Sequence, residues 1–163
     1  MNPLNLDNID LQLLNQLQTD ASLSNQTLAE RVFVSPPTCL RRVKRLKDVG
    51  LIEREIAVLS VDTLAGSIGY GLTAVVEITL DRQDKAALEA FEQRVQHEDA
   101  VQQCYRVSPG PDFCLIVHAA SMPDYLALTQ RLFTADANVR NVKSFFSIKR
   151  SKFGARVPLP GVP

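Results

Sequence analysis

The chain holds only three cysteines, Cys39, Cys104 and Cys114, and no two of them are spaced as C-x-x-C. So odd and sparse a set argues against a disulfide framework or a zinc knuckle and fits reduced thiols in a cytoplasmic protein. Histidine is rarer still: His97 and His118 have no Cys, Asp or Glu at ligand spacing, so both read as structural and no metal site is expected. No apolar run approaches the ~20 residues that a membrane helix needs. Met1 to Asp7 lack the basic start and apolar segment of an export signal, which again points to the cytoplasm and to no membrane partner. No nucleophile-base-orienter set, phosphate-cradling glycine loop or paired carboxylates are evident, so catalysis is not expected. Net charge is absent too, Lys+Arg and Asp+Glu cancelling at 18 each. These exclusions leave a soluble globular chain of 163 residues, 45% hydrophobic and 22% charged, long enough for one domain or two small ones.

Within that neutral total, positive charge is concentrated in one place. From Pro36 to Lys47 the chain carries Arg41, Arg42, Lys44, Arg45 and Lys47 and no acid. Ser35 is a good N-cap and Pro36 a good first helical residue, since its missing N–H has no intrahelical partner there and its φ is already helical. Cys39, Val43 and Leu46, with Leu40, are expected to form an inward stripe, Thr38, Arg41, Arg42 and Arg45 lying on the other side, and Gly50 stops the helix. A short, capped, one-sidedly basic helix suits a major groove; a solvated basic face is the alternative reading.

The preceding residues weigh on that choice. Leu6, Ile9, Leu13, Leu14 and Leu17 keep helical spacing behind Asp7, which can cap. Ser24 can cap a second helix with Leu28, Ala29 and Val32 inward, and Phe33 to Ser35 then leads directly into the basic helix. Two short helices joined by so short a turn have helix-turn-helix spacing, and the basic face in third place favours DNA binding. Leu51 to Leu59 alternates loosely and is read as a small wing or an exit strand.

After a glycine-bearing stretch the period changes. Leu72 to Leu80 alternates with β-branched enrichment, Asp84 to His97 is helical, and Val101 to Ser108 and Phe113 to Ala119 form a hairpin around Pro109 to Asp112. Pro123 to Phe133 is a second helix and Val139 to Lys149 a last strand. The order βαββαβ is that of the ferredoxin-like module, with its first and third strands central. The expected fold class is therefore α+β: an N-terminal (winged) helix-turn-helix over 1–61, a linker over 62–71, a βαββαβ domain over 72–152 and a tail over 153–163. Phe113 to Ala119 is apolar on both faces, so the sheet face without helices is expected to meet another subunit. Cys104 and Cys114, on opposite arms of the hairpin, are also read as a conceivable redox pair, although packing is the simpler role.

With these elements in place the chain resembles the Lrp/AsnC family of leucine-responsive, or feast/famine, transcription regulators. The resemblance rests on Leu6-Asp-Asn-Ile-Asp10, Leu28-Ala-Glu-Arg-Val32, Val34-Ser-Pro-Pro-Thr-Cys-Leu-Arg-Arg-Val43 with Leu46 and Gly50-Leu-Ile52, and Pro109-Gly-Pro-Asp-Phe113. It implies a homodimer assembling further, commonly to an octamer, whose assembly or DNA affinity responds to an amino acid, leucine or another, bound between βαββαβ domains. No other cofactor is implied. By position it assigns Ser35, Pro37, Thr38, Arg41, Arg42, Lys44 and Arg45 to double-stranded DNA, and Tyr105, Ser108, Gly110, Asp112, Ala135, Asp136 and Ser144 to the effector. Asp112 also reads as a simple turn stabiliser and Tyr105 as core or interface. This chain departs from the family pattern at Pro109, where glycine is usual, at Lys47, where glutamate is frequent, and at Phe33, in a turn position usually small. Two other functions stay open: a ligand-independent architectural DNA-binding protein, and a regulatory subunit of an amino-acid enzyme.

Overall fold

A computed structural model describes residues 5–69 and 71–160 and divides the chain into two compact units. The first comprises the described residues up to Val58 together with those from Lys152 onward; the second is Leu59–Ser151. Residues 1–4 of the expected first domain, Tyr70 of the expected linker and 161–163 of the tail lie outside the described residues.

The first unit contains α1 (Asn8–Thr19), α2 (Asn25–Arg31) and α3 (Pro36–Asp48). Asp7 caps α1 by accepting the Asp10 N–H at 2.9 Å, and Asp10 reaches back to the Asp7 N–H at 3.2 Å, a reciprocal capping box. Ser24 caps α2 through the Thr27 N–H at 3.1 Å. Each helix turns one stripe inward, so that Leu13, Leu28, Ala29, Val32, Cys39 and Leu46 form a buried core with Ile9, Leu17 and Val43 packed against it. Gly50 ends the array with a φ of +77°, in the left-handed region that favours glycine. No wing follows: Leu51 to Ser60 form no strand. The tail docks on α1, the Gln18 side chain bonding both the N–H and the carbonyl of Val157 at 2.9 and 3.0 Å.

The second unit opens with α4 (Val61–Ile68), capped by Ser60, where a linker was expected. Then come β1 (Leu72–Leu80), α5 (Lys85–Gln96), β2 (Val101–Arg106), β3 (Phe113–Ala119), α6 (Met122–Thr129) with a π-helical extension over Gln130–Thr134, and β4 (Val139–Phe146). The sheet is antiparallel in the order β2-β3-β1-β4, so β1 and β3 are central. Ala74, Val76, Ile78 and Leu80 of β1 alternate inward with Phe113, Leu115 and Val117 of β3, meeting Phe91 and Val95 of α5 and Tyr125 and Leu128 of α6. Phe91 stacks between Phe113 and Phe133, its ring centroid 4.6 and 6.3 Å from theirs. The opposite face, turned from this core, carries Val75, Glu77, Ile116, Tyr105 and Phe145.

The hairpin register separates the two cysteines. Cys104 lies opposite Leu115 and Cys114 opposite Tyr105, so they occupy different faces and do not oppose each other as the sequence allowed. Desolvation, reinforced by the Glu92 carboxylate, pushes the Cys104 thiol up to about 11, leaving it protonated at neutral pH.

Candidate nucleic-acid interface and ligand site

The basic residues of α3 divide into two sets. Arg42 and Arg45 lie on one flank of the buried stripe and turn toward α1. Arg42 Nη1 donates to Asp7 at 2.8 and 2.9 Å and to Asp10 Oδ1 at 2.8 Å, while Arg45 Nη2 donates to Asp10 Oδ2 at 2.5 Å. Asp10 is only 1% exposed and the Arg42 side chain 19%. A buried carboxylate with two guanidinium partners is an anchor, because leaving either charge unpaired there would be costly. The hydrogen bond from the Asp10 N–H, then those from Arg42, hold the Asp7 carboxyl below its ordinary range; the Asp7 and Asp10 carboxylates in turn hold the Arg42 proton more tightly. Arg42 and Arg45, expected on the outward side of the helix, thus turn toward α1 and fasten α3 to it.

The other residues stay outward. Ser35, Pro37, Arg41 and Lys44 are exposed and Thr38 is half-buried. Ser35 occupies the N-cap position, but its hydroxyl meets Thr38 Oγ1 at 2.9 Å and caps no N–H. Leu40, expected inward, is 61% exposed. Successive helical residues are about 100° apart, so Leu40 lies a quarter-turn from Cys39 and Val43, on the flank opposite Arg42. Phe33 is 93% exposed at φ +56°, the one non-glycine residue of positive φ among the described residues.

In the second unit the expected ligand residues converge only in part. The hairpin turn and the loop before β4 both reach the end of β1, from opposite sides. Asp112 Oδ2 accepts the Leu80 N–H at 2.7 Å and a bond from Gln83 at 3.3 Å, and the Asp112 N–H donates to the Ile78 carbonyl at 2.8 Å. The side chain therefore fixes the turn. Within it Gly110, at φ +121°, adopts a backbone that other residues rarely reach, and Ser108 is exposed. On the other side the Asn138 carbonyl accepts the Asp81 N–H at 2.9 Å, and its side chain accepts the Arg82 N–H at 2.8 Å. Asp136 accepts the Asn138 N–H at 3.0 Å and forms an ion pair with Arg94 of α5; Ala135 is exposed beside it.

Between α5 and this loop lies an open cleft of about 510 Å³, lined by Asp81, Arg82, Arg94, Asp136, Asn138 and four alanines. Small side chains at Ala86, Ala87 and Ala90 leave the room, while charges of both signs stand at its edge. Asp81, Arg94 and Asn138 were not among the expected residues; alanines at 86, 87 and 90 on one helix face were the available signal. Tyr105 and Ser144 lie elsewhere. Tyr105 sits on the sheet face away from the helices, its hydroxyl donating to Gln103 at 3.1 Å. Ser144 lies under the helices, bonded to the Tyr125 hydroxyl at 2.5 Å. His118 faces Thr73 at 3.1 Å, and burial pushes its imidazole below the ordinary value.

Comparison with known proteins agrees with this division. Residues 6–47 match the AsnC-type helix-turn-helix domain and residues 73–157 the Lrp/AsnC ligand binding domain. A leucine-responsive regulatory protein of Rhizobium meliloti is 34% identical over 154 residues, 94% of this chain and 96% of the relative. An uncharacterized HTH-type transcriptional regulator of Haemophilus influenzae is 37% identical over 147 residues, 90% of this chain and 85% of that one. The crystal structure of the transcriptional regulator NMB0573 from Neisseria meningitidis, a complex with L-Met, superposes with a TM-score of 0.82 at 30% identity, covering 96% of this chain and 98% of its own. No helix among the described residues is long and apolar enough to cross a membrane. With a helix-turn-helix head and a ligand-binding βαββαβ module each matched in its own right, the chain belongs to the Lrp/AsnC family and is a transcriptional regulator.

Proposed function

We propose that the chain binds specific duplex DNA through the outward face of α3 and that an amino acid bound at the second unit modulates that binding. The observation that carries the first half is the split of the basic helix. Arg41 and Lys44 remain outward while Arg42 and Arg45 fasten the helix, so a rigid rod is presented with its N-terminal turn free. In this reading Ser35, Pro37, Thr38 and Arg41 meet base edges or phosphate near the helix N-terminus and Lys44 meets phosphate.

The second half rests on the cleft at the end of β1 and on the L-Met complex of NMB0573. A free amino acid needs acceptors for its ammonium and donors for its carboxylate. Asp81 and Asp136 supply the first, Arg82 and Arg94 the second, with Ser108, Gly110 and Asp112 shaping the neighbouring turn. Because Arg94 and Asp136 pair with each other, a zwitterion takes over both partners of one existing ion pair. A second copy of the chain covers the open sheet face, where Tyr105 and Phe145 are 56% and 53% exposed, and an even-numbered assembly of such dimers follows.

The test is a thermal-shift screen of the twenty amino acids against the full chain, followed by DNA titration with and without each hit. At 100 times its Kd an effector adds about 2.7 kcal/mol and changes DNA affinity, and Arg94→Ala removes both responses. If no amino acid moves either quantity, the effector half fails and a ligand-independent architectural role takes its place.

A further inference from the structure

We propose that Leu40 reads thymine: its side chain contacts the C5-methyl group of one thymine in the major groove, beside the base that Arg41 reads. The inference rests on the placement of α3 in that groove.

Leu40 belongs to the fifth residue of α3, within the part of a recognition helix that reaches base edges. An isolated exposed leucine would need no explanation. This one continues a surface stripe: Pro37 precedes it by three residues and Lys44 follows by four, both exposed, and Arg41 is its exposed neighbour. It is an apolar side chain beside the two cations that stand outward on this helix, Arg41 next to it in sequence and Lys44 one turn further on. The buried alternative was available and was not taken, since Cys39, Val43 and Leu46 already fill the stripe facing α1 and α2.

The choice of occupant follows from what the major groove offers. Its base edges present hydrogen-bond donors, acceptors and one apolar group, the thymine methyl. Leucine has no polar atom, so the methyl is the feature it can discriminate. The restriction of the arginines sharpens this. With Arg42 and Arg45 committed to Asp7 and Asp10, Arg41 is the guanidinium of this helix left to take a guanine bidentately. Direct reading by α3 then reduces to a short pattern in which a guanine read by Arg41 lies near a thymine read by Leu40.

The experiment starts from duplexes enriched out of a random pool by the full chain. In the enriched duplex each thymine is replaced singly by deoxyuridine, which deletes the methyl and keeps the base pair. At one position per half-site the wild-type chain should lose about fourfold in affinity, the equivalent of roughly 0.8 kcal/mol for one apolar carbon. Leu40→Ala should bind the thymine duplex correspondingly more weakly and be indifferent to uracil at that same position. Its thermal midpoint should match the wild type because nothing in the core is touched. Leu40→Gln, carried through the same selection, should enrich adenine there. If uracil weakens wild type and Leu40→Ala equally, or weakens neither, the proposal is overturned while the DNA-reading role of α3 stands. If Arg41→Ala also leaves binding to the enriched duplex unchanged, that placement of α3 falls with it.

Discussion

The first unit is stapled by charge and the second by hydrocarbon. In the helix-turn-helix unit the buried core is small, and the largest commitment outside it is one inaccessible carboxylate, Asp10, gripping two arginines of the helix it supports. In the βαββαβ unit stacked phenylalanines and alternating β1 and β3 residues fill the interior, and charged pairs such as Arg94–Asp136 and Arg131–Glu98 stay at the rim. The contrast teaches where each unit keeps its charge for function. The first spends part of its basic helix on staying folded, so a cation count there overstates the charges left unpaired on its surface. The second needs no charge inside, so its ions pair with one another at the rim.

Several substitutions would break or sharpen this contrast. The largest effect should come from Phe91→Ala, which empties the centre of the aromatic stack; a loss of about 4 kcal/mol is expected by calorimetry, in the range for a buried phenylalanine. Asp10→Ala follows, at about 3 kcal/mol, because Arg42 and Arg45 would be left without their buried partner; the partial exposure of Arg45 puts it at the low end for such pairs. A loss below 1 kcal/mol in denaturant titration would mean that apolar packing holds the first unit as well. Acid should act on both units. The carboxyls of Asp7, Asp84 and Glu98 lie below their ordinary values, held down respectively by the Asp10 N–H, the Ala87 N–H and the Arg131 guanidinium. Their contribution is complete above the unfolded values of 3.8 and 4.5 and is lost as pH falls through the lower folded ones. Stability should therefore decline below about pH 4.5, and Asp7→Asn should flatten that decline for the helical signal of the first unit. The smallest effect is a gain: Phe33→Asn, which tolerates a positive φ, should raise the unfolding free energy from denaturant titration by less than about 1 kcal/mol.

Much of this was legible in the residues because local chemistry decided it. The cap at Asp7, the cap at Ser24 and the alternation of Leu72 to Leu80 are short-range patterns, and each element they mark is present. What escaped the sequence were choices made by tertiary partners. Periodicity placed Leu40 near an apolar stripe but could not say that Cys39, Val43 and Leu46 would fill it. Nothing local told Arg42 from Arg41, since the carboxylates that claim Arg42 lie more than thirty residues earlier. That Ser144 turns under α6 to meet the Tyr125 hydroxyl is a matter of register that only pairing with Val76 fixes. Helix α4 was missed because its glycine and serine content reads as a connector, whereas Ser60 caps it and Gly69, at φ +71°, closes it.

The docking of Val157 on Gln18 has a topological result. Since the chain leaves the helical head near Val58 and comes home near Lys152, the sheet module is an insertion within that head, and two covalent bridges rather than one join them.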